Sequence, residues 1–485
     1  MTVAWTRLLP ACRRSALPRV AALVIVAALP GACARHPHVE APVDQALTPR
    51  EFAAARLDDP AWRDDWQRLD PDAAGSPARW TPARIGLLAA LRSRAVREAQ
   101  AALTVARAAR AVAVQRQNPL VSLGLERHSL IDDNQSGHWS IGPSVELTLA
   151  PRGRRALIAA RADVEITRAR LAIVAAAWTA RDAAVGAALA LLAQRELAAR
   201  EAGALAARDA ALAAARASVA AGVADPFEWQ TMVLAANDAR LARLARITET
   251  AQAQATLAAA LALPVTALQD LAFAPPPAGG PAPAYDDLQL HMLTHDPAVL
   301  AALADFDAAE RDLGLAVHAQ YPSVQLNPGY FFDQGDHVWS LLGGVVVPVL
   351  ANHDAAIARA EAAREAARAH VHAVQAARIA ALSEAYARWQ TSLDVRREAQ
   401  AIAADVRRHH EELAARAATG VVDRLAERRA AQQVAELDVQ LAMSAAAVRA
   451  ARHALESTAR LPRDDPPFAR YLDELQAADA TQPEP

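Results

Sequence analysis

The chain has 485 residues, 53% of them hydrophobic but only 4% aromatic, and 54 acidic against 51 basic side chains leave a formal net charge of −3. Charge so nearly balanced excludes a general nucleic-acid binder. Two cysteines, Cys12 and Cys33, exclude a disulfide framework or a cysteine zinc site in the body of the protein. Alanine supplies most of the apolar fraction, and charged alanine-rich sequence with helical periodicity reads as long helices lying side by side.

The first residues read as an address. Arg7, Arg13, Arg14 and Arg19 precede the apolar run Val20 to Leu29, which meets Pro30-Gly31-Ala32-Cys33-Ala34. A basic start, a short apolar middle and small residues at the exit describe a signal peptide over residues 1–32. The run is shorter than the roughly 20 residues a spanning helix needs. Two processing routes stay open: Gly31-Ala32-Cys33 resembles a bacterial lipobox, which would make Cys33 the acylated N-terminus, and Ala32-Cys33-Ala34 also reads as an ordinary cleavage site. Cys12 falls in the segment removed. No later uncharged apolar run is long enough for a membrane helix, so entry into a membrane must use strands.

Beyond an N-terminal extension, residues 33–82, the same order of elements occurs twice. In the first repeat (83–264), Ala83 to Arg116 is helical in pattern. Period-two alternation follows in a hairpin over 119–149: Val121, Leu123 and Leu125, a polar turn at Asp132 to Gly137, then Trp139, Ile141, Val145, Leu147 and Leu149. The second strand runs for about 11 residues, the length of a tilted membrane strand. Arg152 to Ala221 is a proline-free helical run that closes at Gly222-Val223-Ala224-Asp225, and a further helix ends at Leu263-Pro264.

The Pro/Gly-rich segment Ala274 to Ala284, within a linker over 265–284, cannot continue a helix. In the second repeat (285–462), Asp307 to Gln320 closes a helix and Tyr321-Pro322 breaks it. A hairpin over 322–350 alternates through Val324, Leu326, Tyr330 and Phe332, turns at Asp333 to His337, and places Trp339 where Trp139 stands in the first. Asn352 to Thr419 is the second long helix. It closes at Gly420-Val421-Val422-Asp423, and the helix after it ends at Leu461-Pro462, each 198 positions from its counterpart. Preserved spacing points to duplication. In each closing turn glycine supplies a left-handed residue and aspartate can cap the next helix. The tail, residues 463–485, with Pro466-Pro467, is expected to be loosely ordered.

Four two-faced strands cannot close on themselves, since membrane barrels begin at about eight. Strands in lipid therefore require several chains to share one barrel. A small soluble β-subdomain is the alternative for the same pattern.

This order of helix, hairpin, long helix, glycine turn, helix and proline linker, repeated, resembles the TolC family of outer-membrane efflux proteins over about Ala83 to Pro462. The stretch from Tyr321-Pro322-Ser323 through Pro328-Gly329-Tyr330 to Asp333-Gln334-Gly335-Asp336 and Trp339, with Ile357 to Ala362, is similar to the branch serving heavy-metal cation efflux. Ala351-Asn352-His353-Asp354 departs from that branch's Asn-Arg-Asn-like turn. The resemblance implies a mainly α fold with a small β part: a homotrimer with a TolC-like α-helical barrel and a shared 12-stranded transmembrane β-barrel, four strands per chain. It implies passive conduction of heavy-metal cations or drugs, with outer-membrane lipid, a periplasmic adaptor and an inner-membrane efflux pump as partners.

The same resemblance places Gly222, Asp225, Gly420 and Asp423 at the periplasmic tip, where the adaptor docks. The aspartates could form an acidic ring or serve only as helix caps. Arg216 and Arg416 could hold the tip closed on carboxylates or be solvated helix charges. Trp139, Tyr330, Phe332 and Trp339 fit an interfacial aromatic band or the packing of a soluble hairpin. No metal or cofactor is expected: His409-His410 and His370/His372 diverge on a helix, and the Asp333/Asp336/His337 turn reads as solvated. The absence of nucleophile, phosphate-binding and dinucleotide motifs argues against an enzyme. The rival reading is a periplasmic helical adaptor or a structural coiled-coil lipoprotein.

Overall fold

The computed structural model describes residues 38–71, 79–129, 139–274, 283–333, 335–345, 347, 353–462 and 465–477. Cys33 and the turn Asp132 to Gly137 lie outside these residues. So does most of the Ala274 to Ala284 segment. Residues 38–51 belong to a unit of their own, in which Asp44 accepts from the Ala46 amide.

Helices α1 (Leu47–Ala54) and α2 (Arg63–Leu69) precede the first repeat. The helical pattern at Ala83 to Arg116 is two helices, α3 (Pro82–Arg92) and α4 (Arg94–Ala113). Ser93 breaks it: its backbone turns extended, and its hydroxyl accepts from the Val96 amide at 3.3 Å, which caps α4. Strands β1 (Leu120–Arg127) and β2 (Trp139–Leu149) then lead to α5 (Arg154–Ala220) and α6 (Pro226–Ala260).

The second repeat supplies α7 (Tyr285–His295), α8 (Pro297–His318), β3 (Val324–Asp333), β4 (Asp336–Val345), α9 (Asp354–Ala418) and α10 (Arg424–Ala459). Proline-free and alanine-rich, α5 and α9 extend over 67 and 65 residues, on the order of 100 Å each. One window of α5 is long and apolar enough to cross a membrane, but 44% of it is buried against the rest of the chain, as in a core helix.

The helices make a sheet of rods. Toward the strands the order across is α4, α5, α8, α9; toward the glycine turns it is α6, α5, α10, α9. Arginine forks stitch neighbouring rods: Arg110 to Asp163, Arg161 to Asp312 and Arg364 to Glu310 in the first zone, Arg246 to Glu201 and Arg407 to Asp438 in the second. Every basic residue of the chain is arginine, whose planar fork suits such pairs.

The closing turns repeat at the level of single hydrogen bonds. The Val223 amide donates to Ser218 O at 2.9 Å and the Val421 amide to Arg416 O at 3.0 Å; Leu263 donates to Ala258 O at 2.9 Å and Leu461 to Glu456 O at 3.0 Å. Each pair is 198 positions apart, and the left-handed residues Ala262 (φ 51°) and Arg460 (φ 54°) obey the same offset.

Two expectations are corrected. The tail after Pro462 holds a helix, α11 (Pro466–Ala477), because Phe468 and Tyr471 are apolar on one face and Phe468 is fully buried, its ring 5.0 Å from that of Trp178. The linker is packed in its first part: Leu268 and Leu271 are buried, and Phe273 bridges Trp80. Both segments complete the first repeat's core, which also takes Trp66 and Trp80 from the N-terminal extension.

Glycine is required where β2 meets β3. A Cβ on Gly142 would lie 2.1 Å from Tyr330 O and 2.7 Å from Phe331 Cα, whereas one on Gly203, within α5, would meet nothing within 4 Å. Thermal unfolding should separate the two: Gly142→Ala lowers stability by about 1–3 kcal/mol, and Gly203→Ala raises it by roughly 0.5–1 kcal/mol.

Candidate functional site

The four strands form one antiparallel sheet in the order β1-β2-β3-β4, so β1 and β4 are its edges. Directly opposed residues share a face. The register Val121↔Val145, Leu125↔Ile141, Ile141↔Phe332, Leu147↔Leu326 and Tyr330↔Trp339 gathers most of the aliphatic and aromatic side chains on one side, with Arg127 and His337 at its turn end, and leaves Val338 and Leu342 on the other. Ser122, Gly124, Glu126, Ser140, Ser144, Gln325, Asn327 and Asp333 fall on the other, with Phe331 lying over Gly124, Gly142 and Gly329.

Trp139, Tyr330, Phe332 and Trp339 all stand on the apolar face at the end nearest the hairpin turns. Tyr330 and Trp339 rings are 4.8 Å apart, Arg127 lies 5.8 Å over Trp139, and the Tyr330 hydroxyl meets His337 Nδ1 at 2.6 Å. On the polar face Ser140 bridges His128 and Asp333, joining the two hairpins.

At the opposite end of the rods, Gly222 (φ 73°) and Gly420 (φ 77°) are left-handed. Asp225 accepts from the Phe227 amide at 2.9 Å and so caps α6. Asp423 occupies the matching position without a side-chain cap bond; its carbonyl alone takes the Ala426 and Glu427 amides. Both carboxylates are exposed, as are Val223, Val421 and Phe227 at 77%, 76% and 71%. Arg216 and Arg416 make no ion pair among the described residues. Instead Arg429 Nη2 reaches Glu228 Oε1 at 2.5 Å, joining the first turn of α6 to the second turn of α10. That pair escaped the sequence because its members, 201 positions apart, do not follow the repeat.

The histidines do not gather. His410 faces Glu427 at 3.7 Å, and Asp333, Asp336 and His337 diverge to Ser140, a backbone amide and Tyr330. His291 and His295, unlike the other histidine pairs, do have the i, i+4 spacing of a helical metal site. Their rings stack at 4.2 Å, and His291 Nε2 is held by Arg460 O at 3.1 Å. Among the described residues no three His, Cys, Asp or Glu side chains converge.

No family sequence model matches the chain, and no curated protein matches it. Solved structures do. The outer-membrane channel OprN superposes with a TM-score of 0.64 at 16% identity, over 88% of this chain and 99% of that one. The outer membrane protein VceC from Vibrio cholerae gives 0.61 at 16% identity, over 81% and 97%. The Campylobacter jejuni CmeC outer membrane channel gives 0.61 at 12% identity, over 91% and 97%. The chain has the TolC-like fold of outer-membrane efflux channels.

Two measurements follow. Asp225→Ala should cost about 1 kcal/mol of stability, the worth of a cap, and Asp423→Ala distinctly less, by thermal unfolding. Burial lowers His453 and His291 below the ordinary imidazole value. The unfolded chain therefore takes up protons first, and this contribution, full above about pH 6.5, is lost as pH falls below it. The unfolding midpoint should drop on acidification, and less steeply in a His453→Gln variant.

Proposed function

We propose that the chain is the outer-membrane channel of a tripartite efflux system, conducting substrate passively from a periplasmic adaptor and an inner-membrane pump to the exterior. One observation carries this reading: a four-stranded sheet, mainly apolar on one face and mainly polar on the other, whose two edges are open. An even number of strands per chain makes β1 of one copy antiparallel to β4 of the next. Copies can therefore close a ring with every backbone group paired, as lipid demands. Three copies give the twelve strands of the resembled family.

In that ring the apolar face meets lipid, and Trp139, Tyr330, Phe332 and Trp339 lie at one interface. The polar face and the rods below it enclose water. The tip at Gly222 and Gly420 receives the adaptor, and exposed Val223, Phe227 and Val421 give it apolar contacts. Heavy-metal cations or drugs are the cargo that the sequence resemblance supports, and Cys33 is the candidate lipid anchor.

The decisive experiment is planar-bilayer conductance of the detergent-extracted protein. Trimers that conduct support the reading, and a silent monomer that needs no detergent contradicts it. Asp225→Ala with Asp423→Ala should reduce cation preference; unchanged selectivity would leave Asp225 as a cap alone. Arg429→Ala, which unties α6 from α10, should raise the open fraction or unit conductance.

A further inference from the structure

The most deeply buried charges lie far from both the strands and the glycine turns. Arg181 of α5 is 4% exposed, and its Nε donates to Asp465 Oδ2 at 2.9 Å; Asp465 is 2% exposed. The Arg181 guanidinium stands 4.9 Å from the Phe468 ring and 5.4 Å from Trp178. Its Nη1 reaches Asp182 Oδ1 at 3.4 Å, and Asp182 Oδ2 accepts from Ser457 and, at 3.2 Å, from Arg460 Nη1. Arg460 Nε continues to Asp296 Oδ2 at 3.2 Å, where Arg378 also binds, and Asp296 is fully buried.

An alternating chain of three arginines and three aspartates thus runs from α11 through α5 and the end of α10 to α8 and α9. Arg460 holds a left-handed backbone that costs a non-glycine residue. Its counterpart Ala262 has the same backbone without a charge to place, so the bridge to Asp182 and Asp296 is a feature of the second repeat alone.

The order in which these partners leave the ribosome is unusual. Arg181 belongs to the first repeat, and its buried counter-charge comes 284 positions later. The core around Trp178 likewise draws on residues from Ala55 to Leu271 and then on Phe468 and Tyr471. Until α11 arrives, the first repeat would hold Arg181 against the adjacent Asp182 at 3.4 Å, without the closer, buried Asp465 at 2.9 Å, and a buried charge so weakly compensated is unfavourable.

We propose that the Arg181–Asp465 joint is an assembly interlock: the first repeat reaches its packed form only when the C-terminal helix docks, so an unfinished chain offers no edge-competent protomer. This rests on the reading that several copies share one barrel. The two partners are not equivalent. Arginine cannot shed its proton, whereas burial pushes the Asp465 carboxyl upward against the pull of Arg181 and of the Phe468 amide.

Three full-length variants test the interlock, read by trypsin protection of the first repeat and by the size of the extracted complex. Asp465→Ala should lower the folded population on the order of 100-fold, expose the first repeat to trypsin and abolish the multi-chain complex. Arg181→Met should be milder, because Asp465 can take a proton. Arg181→Met with Asp465→Leu, which removes both charges, should recover protection and complex. Asp465→Ala that stays protected and assembled overturns the proposal, as does a double variant no better than Asp465→Ala. A wild-type chain that never forms a complex, with protection still lost in Asp465→Ala, would refute the shared barrel and leave the folding dependence standing.

Discussion

Backbone hydrogen bonding governs this molecule. The sheet ends at β1 and β4 with unpaired amide and carbonyl groups, and one face is mainly apolar. In water such edges invite pairing with another chain, and in lipid each unsatisfied group costs several kcal/mol. A second copy cures both problems only if its free edge has the right direction, and an even strand count provides that. The long rods follow from the same constraint, since their register is fixed at the strands and they must remain neighbours down to the glycine turns.

Between the two ends lies a zone built on different physics. Apart from a smaller cluster around Leu382, Trp389 and Met292, the rods elsewhere touch largely through alanines and partly exposed arginine–carboxylate pairs, each worth little. Around Trp178 the chain instead buries large aromatics and a charge chain, and recruits its own N-terminal and C-terminal segments. Buried ion pairs are weak evidence for stability but hold particular partners in particular places. That suits a zone where α3, α5, α10 and α11 meet.

Much of this was legible in the sequence. Period-two alternation marked β2 at its observed bounds, and the absence of proline marked both long helices to within two residues. The 198-residue offset of the glycine and Leu-Pro turns became an offset of individual hydrogen bonds. Strand parity put Tyr330 with Phe332 and Trp139 with Ile141, whereas the face they share with Trp339 is set by the register between strands. What stayed hidden depends on partners distant in sequence. Ser93 looks like an ordinary helix residue until its extended backbone is seen. The tail's two prolines suggested looseness, whereas Pro466 and Pro467 open a helix, where a missing amide costs nothing. Which aspartate caps, and that Glu228 rather than a tip carboxylate meets an arginine, is decided by side-chain direction, which spacing does not encode.

The central claim is that β1 of one copy pairs with β4 of the next in the membrane. Site-directed cross-linking in isolated outer membranes tests it directly, with a cysteine at Leu123 in β1 and a second placed in turn at each β4 position from Trp339 to Gly343. Edge-to-edge closure predicts disulfide-linked dimers and trimers, a ladder that stops at three, for β4 positions on the side of the sheet that carries Leu123. A chain that stays monomeric at every position, or ladders that extend without limit, would contradict it.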